Sequence, residues 1–290
     1  MIITLLKAAR PVTLVASIAP VLVGTAVSYN VSQSFRFDLF VLILACAVLL
    51  QAASNYLNDA IDFKKGSDTS NRLGPIRISQ SGAIPGSLIF KTGIGFLIAA
   101  LILGIPLVIN SGIPILIIGI TSILFAYAYT GGPYPLAYNG FGEVFAMLYY
   151  GVIAVTGTTF IFLNYTPYES WIRGIQIGCF ATALIALNNF RDFKEDNISG
   201  KKTLSVRFGM HVGKRIIQYF LIAPFVIQVF YMTNNFIDSI VVITLVFPIL
   251  LARQVNQLIP SKECNRYLGL ISISELIFAA SYVATIAFTV

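Results

Sequence analysis

Two stretches of the chain set amides, carboxylates, a glycine and a lysine in the same order: Asn55-Tyr-Leu-Asn58-Asp59-Ala-Ile-Asp62-Phe-Lys-Lys65-Gly66-Ser-Asp68 and Asn188-Asn-Phe-Arg191-Asp192-Phe-Lys-Glu195-Asp196-Asn-Ile-Ser-Gly200-Lys201. Six of the 12 acidic residues lie here. On a helix, residues three or four apart share a face, so Asn55, Asp59 and Asp62 align, as do Asn188, Asp192 and Asp196. Two acidic helix ends facing one another repel unless a cation lies between them. Oxygen ligands without His or Cys suit Mg²⁺, which keeps waters and joins a few carboxylates to substrate phosphates. The basic residues nearby (Lys65, Arg72, Arg77, Arg191, Lys201 and Arg207) have no use in holding a metal alone. They suit a diphosphate that metal and protein hold together.

The elements that position these residues are membrane helices. Hydrophobic residues make up 57 % of the 290 and charged residues 11 %, and the mean hydropathy is +0.83, far from soluble norms. Nine apolar runs of spanning length are expected near 12–30, 38–57, 88–109, 113–129, 141–163, 171–190, 216–233, 237–254 and 268–289. No period-two alternation marks a β-barrel. The breakers Pro20, Pro106, Pro114, Pro224 and Pro248 are tolerable in membrane helices, where neighbours satisfy the freed backbone. The start of the chain reads as a retained first span rather than a cleaved leader. Cys46, Cys179 and Cys264 have no disulfide or metal-ligand spacing and read as small core residues.

Charge sets the orientation. With a cytoplasmic N-terminus and an outside C-terminus, 17 of the 19 Lys and Arg residues face the cytoplasm, leaving Arg36 and Arg173 outside. The net charge of +7 therefore marks a membrane face and gives no sign of nucleic acid. Both carboxylate stretches fall in the long inner loops, near 59–87 and 191–215, after the second and sixth spans. Their matching positions hint at two similar four-span halves plus a ninth helix within one domain, 1–290.

Further segments accompany the two motifs. Ala9-Arg10-Pro11-Val-Thr13-Leu leads the first span, and Asn71-Arg72 and Gly74-Pro75-Ile-Arg77 follow the first stretch. Tyr129-Thr-Gly-Gly-Pro133 precedes Tyr138-Asn-Gly-Phe-Gly142-Glu143, and Gly200-Lys201-Lys-Thr203-Leu-Ser-Val-Arg207-Phe-Gly209 closes the second. With Asn-Asp-x-x-Asp and Arg-Asp-x-x-x-Asp, they make the chain resemble the UbiA superfamily of intramembrane prenyltransferases, and within it the branch acting on 1,4-dihydroxy-2-naphthoate in menaquinone synthesis. The first motif departs from many members: where they carry a third Asp stands Gly66, and the carboxylate arrives at Asp68, as in the naphthoate branch.

The resemblance implies a polyprenyl diphosphate whose allylic C–O bond ionises to a carbocation that the aromatic ring attacks. Leaving-group charge is the main obstacle, so Mg²⁺ on Asp59, Asp62, Asp192 and Asp196, with Asp68 a further candidate, would supply most of the electrostatic catalysis. Lys65, Arg72, Arg77, Lys201, Arg191 and Arg207 would hold the diphosphate, and Asn55 and Asn188 would orient metal, water or phosphate. The acceptor's carboxylate leaves as CO₂, so no strong base is required, in keeping with a site without histidine; His211 reads as a loop residue.

Tyr127, Tyr129, Tyr149 and Tyr150 are candidates to shield the cation, or simply helix packing. Arg10, Tyr138 and Glu143 are candidates for the acceptor side, and the loop from Thr130 to Tyr138 is either an aromatic lid or a tight turn. Glu275, inside the ninth run, reads as structural. Three alternatives compete: a prenyltransferase for another acceptor such as hydroxybenzoate or homogentisate, a divalent-cation transporter, and a prenyl-lipid scaffold. The transporter needs acids along a path through the spans, which apart from Glu275 lack them. The scaffold would not need two metal motifs. The expected location is the cell (inner) membrane, with prenyl diphosphate, the naphthoate and membrane lipid as partners.

Overall fold

In lipid, an apolar segment satisfies its backbone through internal i→i−4 hydrogen bonds or in a closed barrel. The chain takes the first route. The computed structural model describes residues 9–66, 72–75, 77–231 and 236–287, and among them there are helices and no strand. The principal helices are α1 (Pro11–Ser32), α2 (Phe37–Lys64), α3 (Gly86–Ser111), α4 (Ile113–Ala128), α5 (Gly142–Leu163), α6 (Tyr168–Arg191), α7 (Met210–Tyr231), α8 (Phe236–Val255) and α9 (Cys264–Ala287). Seven of them (α1, α2, α3, α5, α6, α7 and α9) are long and apolar enough to cross a membrane, whereas α4 and the stretch 240–255 of α8 are shorter apolar helices. Pro20, Pro106, Pro224 and Pro248 lie inside helices, as tolerated breakers should.

The helices outlast the apolar runs where it matters. With 28 residues, α2 is about 42 Å long, against roughly 30 Å of hydrocarbon. Its last turns project past the apolar layer, and they carry Asp59 and Asp62. Gly66, at φ +73°, ends this arm in a left-handed conformation that a side chain resists. The third carboxylate of the usual motif is thus replaced by a residue the chain reversal favours. Gly200, at φ +76°, ends the other arm likewise. Asp68 lies outside the described residues.

The main core joins α1, α6, α7, α8 and α9 through buried apolar side chains including Phe180, Phe190, Phe278, Ile177, Leu221 and Leu245. The rings of Phe180 and Phe278 lie 5.7 Å apart. Outward faces carry exposed Ile102, Ile105, Ile109, Phe230 and Ile243, a surface suited to lipid rather than water. Within α5, residues Ala146–Val152 form a π-helix. There Gly151 meets Gly178 of α6 so closely that a Cβ on Gly151 would stand 2.3 Å from the Gly178 Cα. Cys179 and Cys264 are buried, as expected, and Cys46 is partly so.

Candidate active site

The two motif arms meet at Lys201. Its Nζ lies 3.5 Å from Asp62 Oδ2 and 3.7 Å from Asp196 Oδ1, so one ammonium bridges the stretches. Asp62 also pairs with Arg77 at 3.2 Å and accepts the Tyr138 hydroxyl at 2.9 Å. Asp59 accepts the backbone N–H groups of Ile78 and Ser79, each at 3.0 Å, and so fastens the segment holding Arg77 against α2. Each carboxylate oxygen keeps a further lone pair.

The second arm preserves its spacing across a break. α6 ends at Arg191, and a short helix follows over Phe193–Ile198. Yet Asp192 N–H donates to Asn188 O and Asp196 N–H to Asp192 O, at 3.0 and 2.8 Å. The four-residue rhythm therefore survives. Asp192 receives Arg191 in a fork, with both contacts at 2.7 Å, and Arg72 at 3.6 Å. Arg191 in turn donates to Asn265 at 2.7 Å, and Asn265 donates to Leu73 O at 3.0 Å, tying the loop after α2 to the start of α9.

Electrostatics divide the acids. Burial pushes the Asp196 carboxyl up to about 7, Lys201 opposing and the neighbouring Asp192 and Asp62 reinforcing it. Burial acts on Asp192 too, but the hydrogen bonds and charge of Arg191, with Arg72 and Lys201, outweigh it and hold that carboxyl below its usual value. Burial lowers Lys65, and Lys201 adds to this while Asp62 opposes it.

Among the described residues no three Asp, Glu, His or Cys side chains form a ready-made metal cage. The donors that line the site are oxygens, each already set against a Lys, an Arg or a backbone N–H. That fits Mg²⁺, which binds through one or two carboxylates plus phosphate and water rather than an all-protein cage.

Below the carboxylates opens a cavity of about 880 Å³, bounded by α1 to α6 and the start of α9. Asp59, Asp62, Asp192, Asp196, Arg72, Arg77, Arg191 and Lys201 line its charged end, together with Arg10, Asn55 and Asn188. Leu107, Ile115 and Ile161 line its apolar depth. On the wall, Phe125 packs at 4.7 Å on Phe145 and 5.2 Å on Tyr149, and Phe145 and Tyr149 stack with an interplanar angle of 9°. Tyr129 and Tyr150 also face the cavity, and Tyr150 donates to Gln51. Such an apolar, ring-lined pocket with charge at one end suits an amphiphile.

Other candidates fall elsewhere. Lys65 and Tyr138 sit at the rim: Lys65 donates to Thr130 O at 2.8 Å, and the Tyr138 ring carries Lys65 at 4.4 Å and Lys201 at 4.8 Å. Arg207 lies outside the cavity, donating to Lys202 O and Asn139 O. Asn55 gives its amide to Ala9 O and Thr13 Oγ1, holding the start of α1. The Thr130–Tyr138 segment folds back on α4, with Ala137 N–H on Tyr129 O, and receives Lys202 N–H at Tyr138 O. It is a pinned turn. Tyr127 and His211 are exposed away from the cavity, and Glu275 is fully buried in α9 without lining it. Sequence reasoning missed Asn58, Asn189 and Asn265, which line the cavity. Asn58 and Asn189 stand beside motif residues already singled out, whereas nothing local marks Asn265.

Residues 17–276 match the UbiA prenyltransferase family. The chain is 34 % identical over 215 residues (72 % of this chain, 70 % of the relative) to a 1,4-dihydroxy-2-naphthoate octaprenyltransferase of Haemophilus influenzae. It is also 34 % identical over 212 residues (70 % and 68 %) to the protein of the same name in Escherichia coli. Among solved structures, a UbiA homolog from Archaeoglobus fulgidus bound to DMAPP and Mg²⁺ shares the fold with a TM-score of 0.72 and 16 % identity, covering 98 % of this chain and 99 % of that one.

Proposed function

The chain belongs to the UbiA prenyltransferase family and is a prenyltransferase, and from that premise we propose that it joins a polyprenyl chain, taken from its allylic diphosphate, to 1,4-dihydroxy-2-naphthoate. Diphosphate and CO₂ are released and demethylmenaquinol, the hydroquinone form of demethylmenaquinone, is formed, a step of menaquinone biosynthesis. The relatives named for this reaction support the acceptor. One observation carries the chemistry: Lys201 joins Asp62 to Asp196 at the charged mouth of an apolar cavity.

Mg²⁺ would be held by Asp62, Asp192 and Asp196, with Asp59 through its remaining lone pairs, and when bound it supplies positive charge to the diphosphate leaving group. Arg72, Arg77 and Lys201 bind the diphosphate oxygens, Lys65 joins from the rim, and Arg191 keeps Asp192 in place. As the C–O bond breaks, these cations neutralise the departing charge where it develops. The wall of Phe125, Phe145 and Tyr149 excludes water and turns ring faces toward the allylic cation. Nine spans, a cytoplasmic N-terminus and a cytoplasm-facing site in the cell membrane complete the reading, since 17 of 19 basic residues then share one side.

The test uses the purified protein in liposomes with radiolabelled polyprenyl diphosphate and a panel of aromatic acids, with and without Mg²⁺. A metal-dependent prenylated product from dihydroxynaphthoate is expected. Its absence, with product from another acid, would overturn the acceptor assignment.

A further inference from the structure

Beside the aromatic wall the structure assembles a polar corner that the diphosphate chemistry does not use. Glu143, 3 % exposed, stands at the start of α5 and accepts the Asn189 Nδ2 amide at Oε1, 2.9 Å away. Its other oxygen, Oε2, is buried without a hydrogen-bond partner among the described residues. Asn189 belongs to α6 and lines the cavity, as does Tyr129 at the end of α4. Gly142 keeps the corner open: a Cβ there would lie 3.2 Å from the Tyr129 hydroxyl and 3.9 Å from Asn189 Nδ2. Three helices thus deliver an acid, an amide and a phenol to one spot.

We propose that Asn189, held by Glu143, is the residue that recognises a ring hydroxyl of the aromatic acceptor. An amide has two faces, one donating and one accepting. With its N–H₂ given to Glu143, Asn189 keeps Oδ1 as an acceptor on a side chain that lines the cavity, and no hydrogen bond occupies that oxygen among the described residues. A phenolic O–H is the complementary donor, and the Tyr129 hydroxyl stands at the same corner beside Gly142. Glu143 acts through Asn189 and is a positioning residue. A site built to pair with a hydroxyl discriminates strongly against the analogue lacking it, because the amide oxygen is then left unpaired. The prenyl diphosphate, held by cations at the mouth, makes no use of this corner.

This inference rests on the aromatic-acceptor reading, and the test separates the two. Wild type, Asn189→Ala, Asn189→Ser and Glu143→Ala are compared in liposomes with 1,4-dihydroxy-2-naphthoate and its monohydroxy analogues. For Asn189→Ala the acceptor KM should rise about tenfold or more and the preference for the dihydroxy acid should collapse, while the prenyl diphosphate KM stays within about twofold. Glu143→Ala should move the same acceptor parameters in the same direction. Unchanged acceptor KM and unchanged hydroxyl preference in Asn189→Ala overturn the proposal. If Asn189→Ala loses its thermal transition, Asn189→Ser is read against the same criteria. If wild type prenylates only a different phenol, the naphthoate reading fails and the Asn189 comparison is made with that phenol and its deoxy analogue.

Discussion

Asp62 and Asp196 share one ammonium yet differ in what surrounds them. Asp62 has Arg77 and Tyr138 as well, whereas for Asp196 burial, opposed by Lys201 and reinforced by the neighbouring Asp192 and Asp62, pushes the carboxyl up to about 7. Replacing either by Ala should lower kcat/KM at least about 100-fold in the radiolabel assay, the scale of losing one preorganised electrostatic contact. Asp196 also predicts a pH dependence. Its folded value lies above the ordinary 3.8, so the metal-free fold favours the protonated acid. That contribution to stability is full at low pH, falls as pH rises toward about 7, and is flat above. Metal-free protein should melt lower at pH 7.5 than at pH 5.5, and Asp196→Asn should flatten that difference. Mg²⁺ competes with the proton, so its apparent affinity should climb over the same interval; affinity that is flat from pH 5.5 to 7.5 would contradict this assignment.

At the scale of elements, the contact between α5 and α6 is the least tolerant of change. Gly151→Val would drive a side chain into the Gly178 backbone, and overpacking of this kind should cost about 3 kcal/mol or more, read as a lower melting temperature in detergent. The same contact shows where the sequence stopped being informative. Long apolar runs announce helices because the signal is local and repeated, and the rhythm of Asn188, Asp192 and Asp196 held even through a helix break. The π-helical segment left no such trace: a change from i→i+4 to i→i+5 hydrogen bonding is invisible in an apolar run, yet this segment carries Tyr149 and Tyr150. Pi segments recur at functional sites, and this one forms part of the cavity wall. Asn265 was equally hidden, since its bond to Leu73 O crosses 192 positions and no short motif encodes such a reach. The second span was expected to stop at 57; its continuation to Lys64 follows from hydrogen bonding that does not depend on apolar side chains.

For the whole molecule, the proposed orientation is open to direct measurement. Single cysteines at Gln33 and Tyr165, in loops assigned outside, should react with an impermeant maleimide in intact cells, and one at Gly82 should react only after lysis; the reverse pattern would invert the topology. Cavity and charges also act together. Asp62, Asp192 and Asp196 each already hold a Lys or Arg, so on the proposed reading Mg²⁺ alone would compete with those ion pairs for the carboxylates, and diphosphate alone would compete with the same pairs for the lysine and arginines. The two should therefore bind cooperatively. Calorimetry with inorganic diphosphate should show at least about tenfold tighter binding when Mg²⁺ is present, and equal affinities would argue against the shared pairing. The bridge through Lys201 has a kinetic corollary. On the proposed reading, the contacts of Lys201 to Asp62 and Asp196 would re-form as the spent diphosphate leaves, so the protein itself would take the place of its by-product. The resting structure is in this sense a competitor of its own by-product, and turnover is favoured over retention.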